Sequence, residues 1–87
     1  MAYTLRYSED ATNILERLDK QVATRIYNKM IALAAAGDIV QHKALRGQWK
    51  GYYKVRIDPF RVIYRIEREM QLLVVEYIGK RDDVYDQ

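Results

Sequence analysis

The pattern of apolar and polar positions changes period near the middle of the chain, helical before it and strand-like after it. At the start Tyr3, Leu5 and Tyr7 alternate with Thr4 and Arg6, which predicts a short strand over 3–7 with those three rings and side chains on one face. Ser8 stands where a helix N-cap belongs, and Glu9 and Asp10 fill a first turn whose dipole favours negative charge. Ala11, Ile14, Leu15 and Leu18 recur at i, i+3, i+4 and i+7, the stripe of a short amphipathic helix. Asp19 is a second N-cap candidate. Val22, Ala23, Ile26, Tyr27, Met30, Ile31, Leu33 and Ala34 then give a longer helix a broad apolar face. Gly37 is placed to end it, because glycine takes the left-handed conformation that closes helices. Two helices joined by so short a link are expected to form an antiparallel hairpin.

In the second half three runs rich in Val, Ile and Tyr, over 52–57, 60–67 and 71–78, predict strands. Pro59, the sole proline, cannot donate to a ladder and belongs with Asp58 in the turn between the first two. Leu72-Leu73-Val74-Val75 is continuously apolar and reads as an interior strand. The expected fold class is α+β: an N-terminal strand, a two-helix antiparallel hairpin and a three-strand antiparallel meander, with the helices packed on one face of a small antiparallel sheet.

Alternation sorts the meander into two faces. Tyr53, Val55 and Ile57 point one way, and Lys54 and Arg56 the other with Tyr52; Phe60, Val62, Tyr64 and Ile66 separate likewise from Arg61, Ile63 and Arg65. A loop at Asp58-Pro59 sets Ile57 opposite Phe60 and Arg56 opposite Arg61, so the apolar sets meet under the helices. Lys54, Arg56, Arg61 and Arg65 then collect on the far side. Like charges directly across a strand pair are destabilising, a cost that a bound polyanion would offset. Trp49, Tyr52 and Tyr85 are candidates for stacking bases, while Tyr3, Tyr7, Tyr27, Tyr53 and Tyr64 read as core or core rim. Trp49 fits a core plug equally well, and His42 reads as a surface loop residue.

Composition narrows the chemistry. The chain has 87 residues, room for one small domain over 1–87. It has no cysteine and one histidine, which removes disulfide scaffolds, thiolate zinc sites and cysteine nucleophiles and leaves little for a His-paired site. No apolar run reaches membrane-spanning length, and the N-terminus lacks the apolar core of a secretion signal, so the expected location is the cytoplasm. The formal net charge is +3, but residues 43–65 carry seven basic groups against Asp58 alone. Such a local excess attracts nucleic-acid phosphates, or simply solvates the surface.

At these residues the chain resembles the RelE/ParE superfamily of bacterial toxin–antitoxin systems, and within it the RelE-type ribosome-dependent mRNA interferases. The resemblance runs through Ala44-Leu45-Arg46-Gly47, Tyr53-Lys54-Val55-Arg56-Ile57, Phe60-Arg61-Val62-Ile63-Tyr64 and Ile78-Gly79-Lys80-Arg81 to Val84-Tyr85. The leucine–arginine–glycine and arginine–valine–isoleucine–tyrosine elements occur across the superfamily and identify the fold. The RelE-type set of basic and aromatic groups is matched by Lys54, Arg56, Arg61, Arg81 and Tyr85, with arginine at position 56 where some members have lysine. The resemblance implies catalysis by those five residues, and the basic side chains around them, Lys43, Arg46, Lys50, Arg65 and Lys80, are candidate RNA contacts. The resemblance also implies a cognate antitoxin, mRNA held in the ribosomal A site as substrate, and no metal or other cofactor.

RNA carries its own nucleophile, the ribose 2′-hydroxyl, so a nuclease need supply only positioning, charge neutralisation and proton transfer. Histidine is the usual acid–base group, and none is available at this site. A lysine among like charges is the substitute, which makes Lys54 the candidate general base. Arginine is a poor proton donor but its planar fork suits a phosphate, a role for Arg56 and Arg61. By the resemblance, Arg81 would protonate the leaving 5′-oxygen and Tyr85 would stack on a base beside the scissile bond. The rival expectations are a ParE-like gyrase inhibitor and a non-catalytic basic interaction module.

Overall fold

A computed structural model of the chain describes residues 2–80. Strand β1 (Thr4–Tyr7) leads into helices α1 (Glu9–Arg17) and α2 (Lys20–Ala36), and a 3₁₀ turn over Gly37–Ile39 follows. Strand β2 (Lys43–Ala44), a second 3₁₀ turn over Gly47–Trp49, and strands β3 (Tyr53–Ile57), β4 (Phe60–Glu67) and β5 (Leu72–Lys80) complete the order. The strands form one five-stranded sheet in the order β1-β5-β4-β3-β2.

Local chemistry sets the helix boundaries. Ser8 caps α1, its Oγ accepting from the Ala11 N–H at 3.0 Å, and Asp19 caps α2 by accepting from the Gln21 N–H at 3.2 Å. Gly37 ends α2 at φ 60° with its N–H turned back to the Ala34 and Leu33 carbonyls, a conformation that a Cβ would strain. Each helix lies on the sheet, α1 against β5 and β1 and α2 against β1 and β3. Leu15, Ile26 and Met30 bury themselves there on Val62, Tyr64, Leu73, Val75 and Ile78, and this burial is the main stabilising term. No helix among the described residues is long and apolar enough to cross a membrane.

The expected α+β architecture is present, with two differences. The sheet is not wholly antiparallel: β1 pairs parallel to β5, Thr4 against Leu72 through Tyr7 against Val75. The two helices supply the long crossover that a parallel pair needs, and the meander leaves β5 as the edge that β1 can join. The second difference is β2, two residues paired antiparallel to β3 and too short to raise an alternating pattern of its own.

The hairpin between β3 and β4 turns at Asp58-Pro59, which is a cis peptide. Ile57 faces Phe60 and Arg56 faces Arg61, as the alternation predicts. Between β4 and β5 the register slips: Ile63 faces Tyr77 but Tyr64 faces Val75, so Glu76 is an extra residue on β5, a bulge. Ser8 holds it, donating from Oγ to the Glu76 carbonyl at 2.8 Å while its own N–H reaches the Val75 carbonyl at 2.9 Å.

Candidate nucleic-acid interface

On the sheet face turned away from the helices, the register lines up two rows. One runs Arg56, Arg61, Gly79 across β3, β4 and β5, and the next runs Lys43, Lys54, Ile63, Tyr77 from β2 to β5. Neighbours in such rows stand about 5 Å apart at their Cβ atoms, so four cationic side chains occupy adjoining positions. Arg61 is 9% exposed, the buried charged residue among those described. A guanidinium in such reduced dielectric interacts with an anion more strongly than one in open water. Gly79, without a side chain, is the residue opposite Arg61.

Acidic groups moderate the crowding. Arg56 Nε donates to Asp58 Oδ1 at 2.9 Å, and the Asp58 carbonyl accepts from Arg25 Nη2 on α2, which fixes the turn to the helix layer. Arg65 donates to Glu76 Oε2 at 2.5 Å and also to Glu67. Part of the like-charge cost that the sequence suggests is therefore relieved inside the fold.

Where β2 stops at Lys43, the edge of β3 beyond Lys54 is uncovered by it, and a cleft of 280 Å³ opens there. Lys43, Lys54, Arg56 and Arg61 line one side, and Leu33 and Val55 the other. His42 and Tyr64 lie deeper: His42 Nδ1 meets the Tyr64 hydroxyl at 2.7 Å and Nε2 meets the Gly37 carbonyl at 2.8 Å. A carbonyl only accepts, so Nε2 carries the proton and, in the neutral ring, Nδ1 accepts from the phenol. No three residues of metal-binding type come together among the described residues.

The comparisons with known proteins place the chain in a family. A family model described as the ParE toxin of the type II toxin–antitoxin system parDE matches residues 5–85. A protein of Escherichia coli described as RelE-like is 32% identical over 89 residues, covering 99% of this chain and 93% of its own. The chain belongs to the RelE/ParE family of type II toxins. Toxin RelG of Mycobacterium tuberculosis is 25% identical and covers 98% of both chains. Among solved structures, isolated RelE of E. coli superposes with a TM-score of 0.77 at 25% identity, over 97% of this toxin and 92% of that one. The RelBE2 toxin–antitoxin complex of M. tuberculosis gives 0.82 at 22% identity, over 93% of each chain, and shares the fold.

Within the toxin the predicted residues divide. Lys43, Lys54, Arg56 and Arg61 come together as above. Arg65 is on the same face, but with two carboxylates on it its charge is largely satisfied. Lys80 faces Phe60 in the register, and Phe60 packs on the core, so Lys80 points to the helix side, away from Arg61. Arg46 and Lys50 flank the exposed 3₁₀ turn after β2, beyond the two rows. Trp49 in that turn is half-buried and meets Tyr52 edge-on at 5.6 Å, so it is not part of the core. Arg81 and Tyr85 lie outside the described residues.

Two residues stand where sequence reasoning did not put them. His42 is not a surface loop residue: its side chain is 4% exposed, wedged against the rings of Tyr53 and Tyr64. Tyr77 joins the cationic face beside Ile63, a ring to which the sequence reading gives no face. Strict alternation from Leu73 and Val75 would turn Tyr77 inward and Ile78 outward; the bulge at Glu76 reverses both.

Proposed function

We propose that the toxin is a ribosome-dependent endoribonuclease that cleaves mRNA in the A site, restrained by a cognate antitoxin. The observation that carries this reading is the adjacency of Lys43, Lys54, Arg56 and Arg61 on one sheet face, with Arg61 buried and so strengthened toward a phosphate. The family relationship and the RelE-named relatives support it, and the solved complexes of related toxins with their antitoxins support the partner.

The chemistry follows from RNA. Lys54 takes the proton of the 2′-hydroxyl as the 2′-oxygen attacks the adjacent phosphorus. The bond from phosphorus to the 5′-oxygen breaks, leaving a 2′,3′-cyclic phosphate and a 5′-hydroxyl. Arg56 and Arg61 bind the equatorial oxygens, where charge accumulates in the transition state. The leaving oxygen needs a proton, assigned by resemblance to Arg81, and Tyr85 orients a flanking base. Groups so weak as acids and bases act slowly on a loose strand, so the ribosome's part is to hold the strand aligned.

The test is a toeprint on mRNA-programmed ribosomes. Wild type cuts within the A-site codon; Lys54→Ala and Arg61→Ala each slow cleavage by about 10²-fold or more while keeping the wild-type circular dichroism. A second reading follows from the resemblance to the ParE branch, whose toxin family model matches residues 5–85: inhibition of gyrase. Intact mRNA beside loss of gyrase supercoiling would establish that reading and remove the nuclease.

A further inference from the structure

We infer that the cleft at the uncovered edge of β3 is a nucleobase pocket, which receives one base of the RNA strand whose phosphate lies over Lys54 and Arg61. The inference rests on the nuclease reading of the cationic face and extends it to substrate selection. Size is the first argument. Ligand pockets usually span about 300–1,000 Å³, so a cleft of 280 Å³ suits a single ring system and no extended ligand. Its lining is the second. Leu33 from α2 and Val55 from β3 provide apolar surface for a ring, and the cationic rim of Lys43, Lys54, Arg56 and Arg61 provides the counter-charge for the phosphate attached to it.

The third argument concerns polar recognition. Arginine and protonated lysine donate and cannot accept. His42 and Tyr64, deeper in the cleft, are hydrogen-bonded to each other and to the Gly37 carbonyl, so their polar atoms are engaged within the fold. Gln41 also lines the cleft and is exposed, and its amide both donates and accepts, the pair of functions that reads a base edge. It precedes β2 at the position that would face Arg56 if the ladder continued. The geometry thus makes Gln41 a specificity-determining residue, with Leu33 and Val55 forming the slot.

The test uses the whole chain and nucleoside 3′-monophosphates of all four bases, titrated one at a time and compared with inorganic phosphate, followed by NMR. The nucleotides shift the Leu33 methyl and Gln41 side-chain amide signals saturably, and phosphate shifts only the signals of the cationic rim. Gln41→Ala lowers the affinity for the best nucleotide about tenfold and flattens the ranking among the four. Leu33 and Gln41 signals that stay still, or that move equally with phosphate, overturn the pocket. The toeprint separates the two claims: cleavage without a response at Leu33 and Gln41 removes the pocket and keeps the nuclease, whereas a nucleotide response without cleavage keeps the pocket and removes the nuclease.

Discussion

A histidine in a connection between elements ordinarily faces water, yet His42 is turned inward and bridges the end of α2 to the centre of β4. Replacing it with alanine leaves the Tyr64 hydroxyl, on a residue 1% exposed, without its acceptor. An abandoned buried polar group costs about 1–3 kcal/mol. His42→Ala should therefore lower the free energy of urea unfolding by that amount while far-UV circular dichroism stays native. Tyr77 makes a different case. Its ring is 36% exposed on the cationic face, so Tyr77→Ala should barely change stability. If the face binds RNA, the substitution weakens a 2′-deoxy-substituted, uncleavable strand by the worth of one stacked base, about 1–3 kcal/mol, and Tyr77→Phe restores it. Fluorescence anisotropy reads both.

Among the elements, β5 carries the feature that most shapes the site. The bulge at Glu76 lets Val75 and Ile78 both reach the core while Tyr77 faces out. Deleting Glu76 should regularise the ladder with every side chain still on its own face. It removes the Ser8 and Arg65 contacts, so the variant should fold with a loss of about 1–2 kcal/mol. Deleting Val74 from the same strand should abolish cooperative unfolding, because a one-residue slip turns one half of the strand inside out. Thermal melts of the two deletions side by side make the comparison. The same strand marks where sequence reasoning stops. Caps at Ser8, Asp19 and Gly37, the turn at Asp58-Pro59 and the pairing of Arg56 with Arg61 were legible because each depends on local chemistry or strict alternation. The bulge was not, since it is imposed by Ser8 from 68 positions away. The two-residue β2 has no period to detect, and His42 is buried only because Tyr64 and Gly37 converge on it in space.

For the molecule as a whole, phenols set the response to alkali. Burial, reinforced by the neighbouring Tyr27, pushes the Tyr7 phenol up to about 12, and burial beside Tyr53 pushes Tyr64 up as well. In the unfolded chain both ionise near pH 10. Their contribution is thus intact below about pH 10 and is lost as pH rises toward the folded values, because the unfolded state releases its protons first. Urea midpoints measured from about pH 9 to pH 12 should fall steadily, and Tyr7→Phe should make the decline shallower. The sheet order has a consequence during synthesis. Strand β1, the first made, has its ladder partner in β5, the last strand of the described chain, and the cationic rows also require β5 to complete them with Tyr77 and Gly79. A nascent chain therefore carries its opening strand unpaired until β5 has left the exit tunnel.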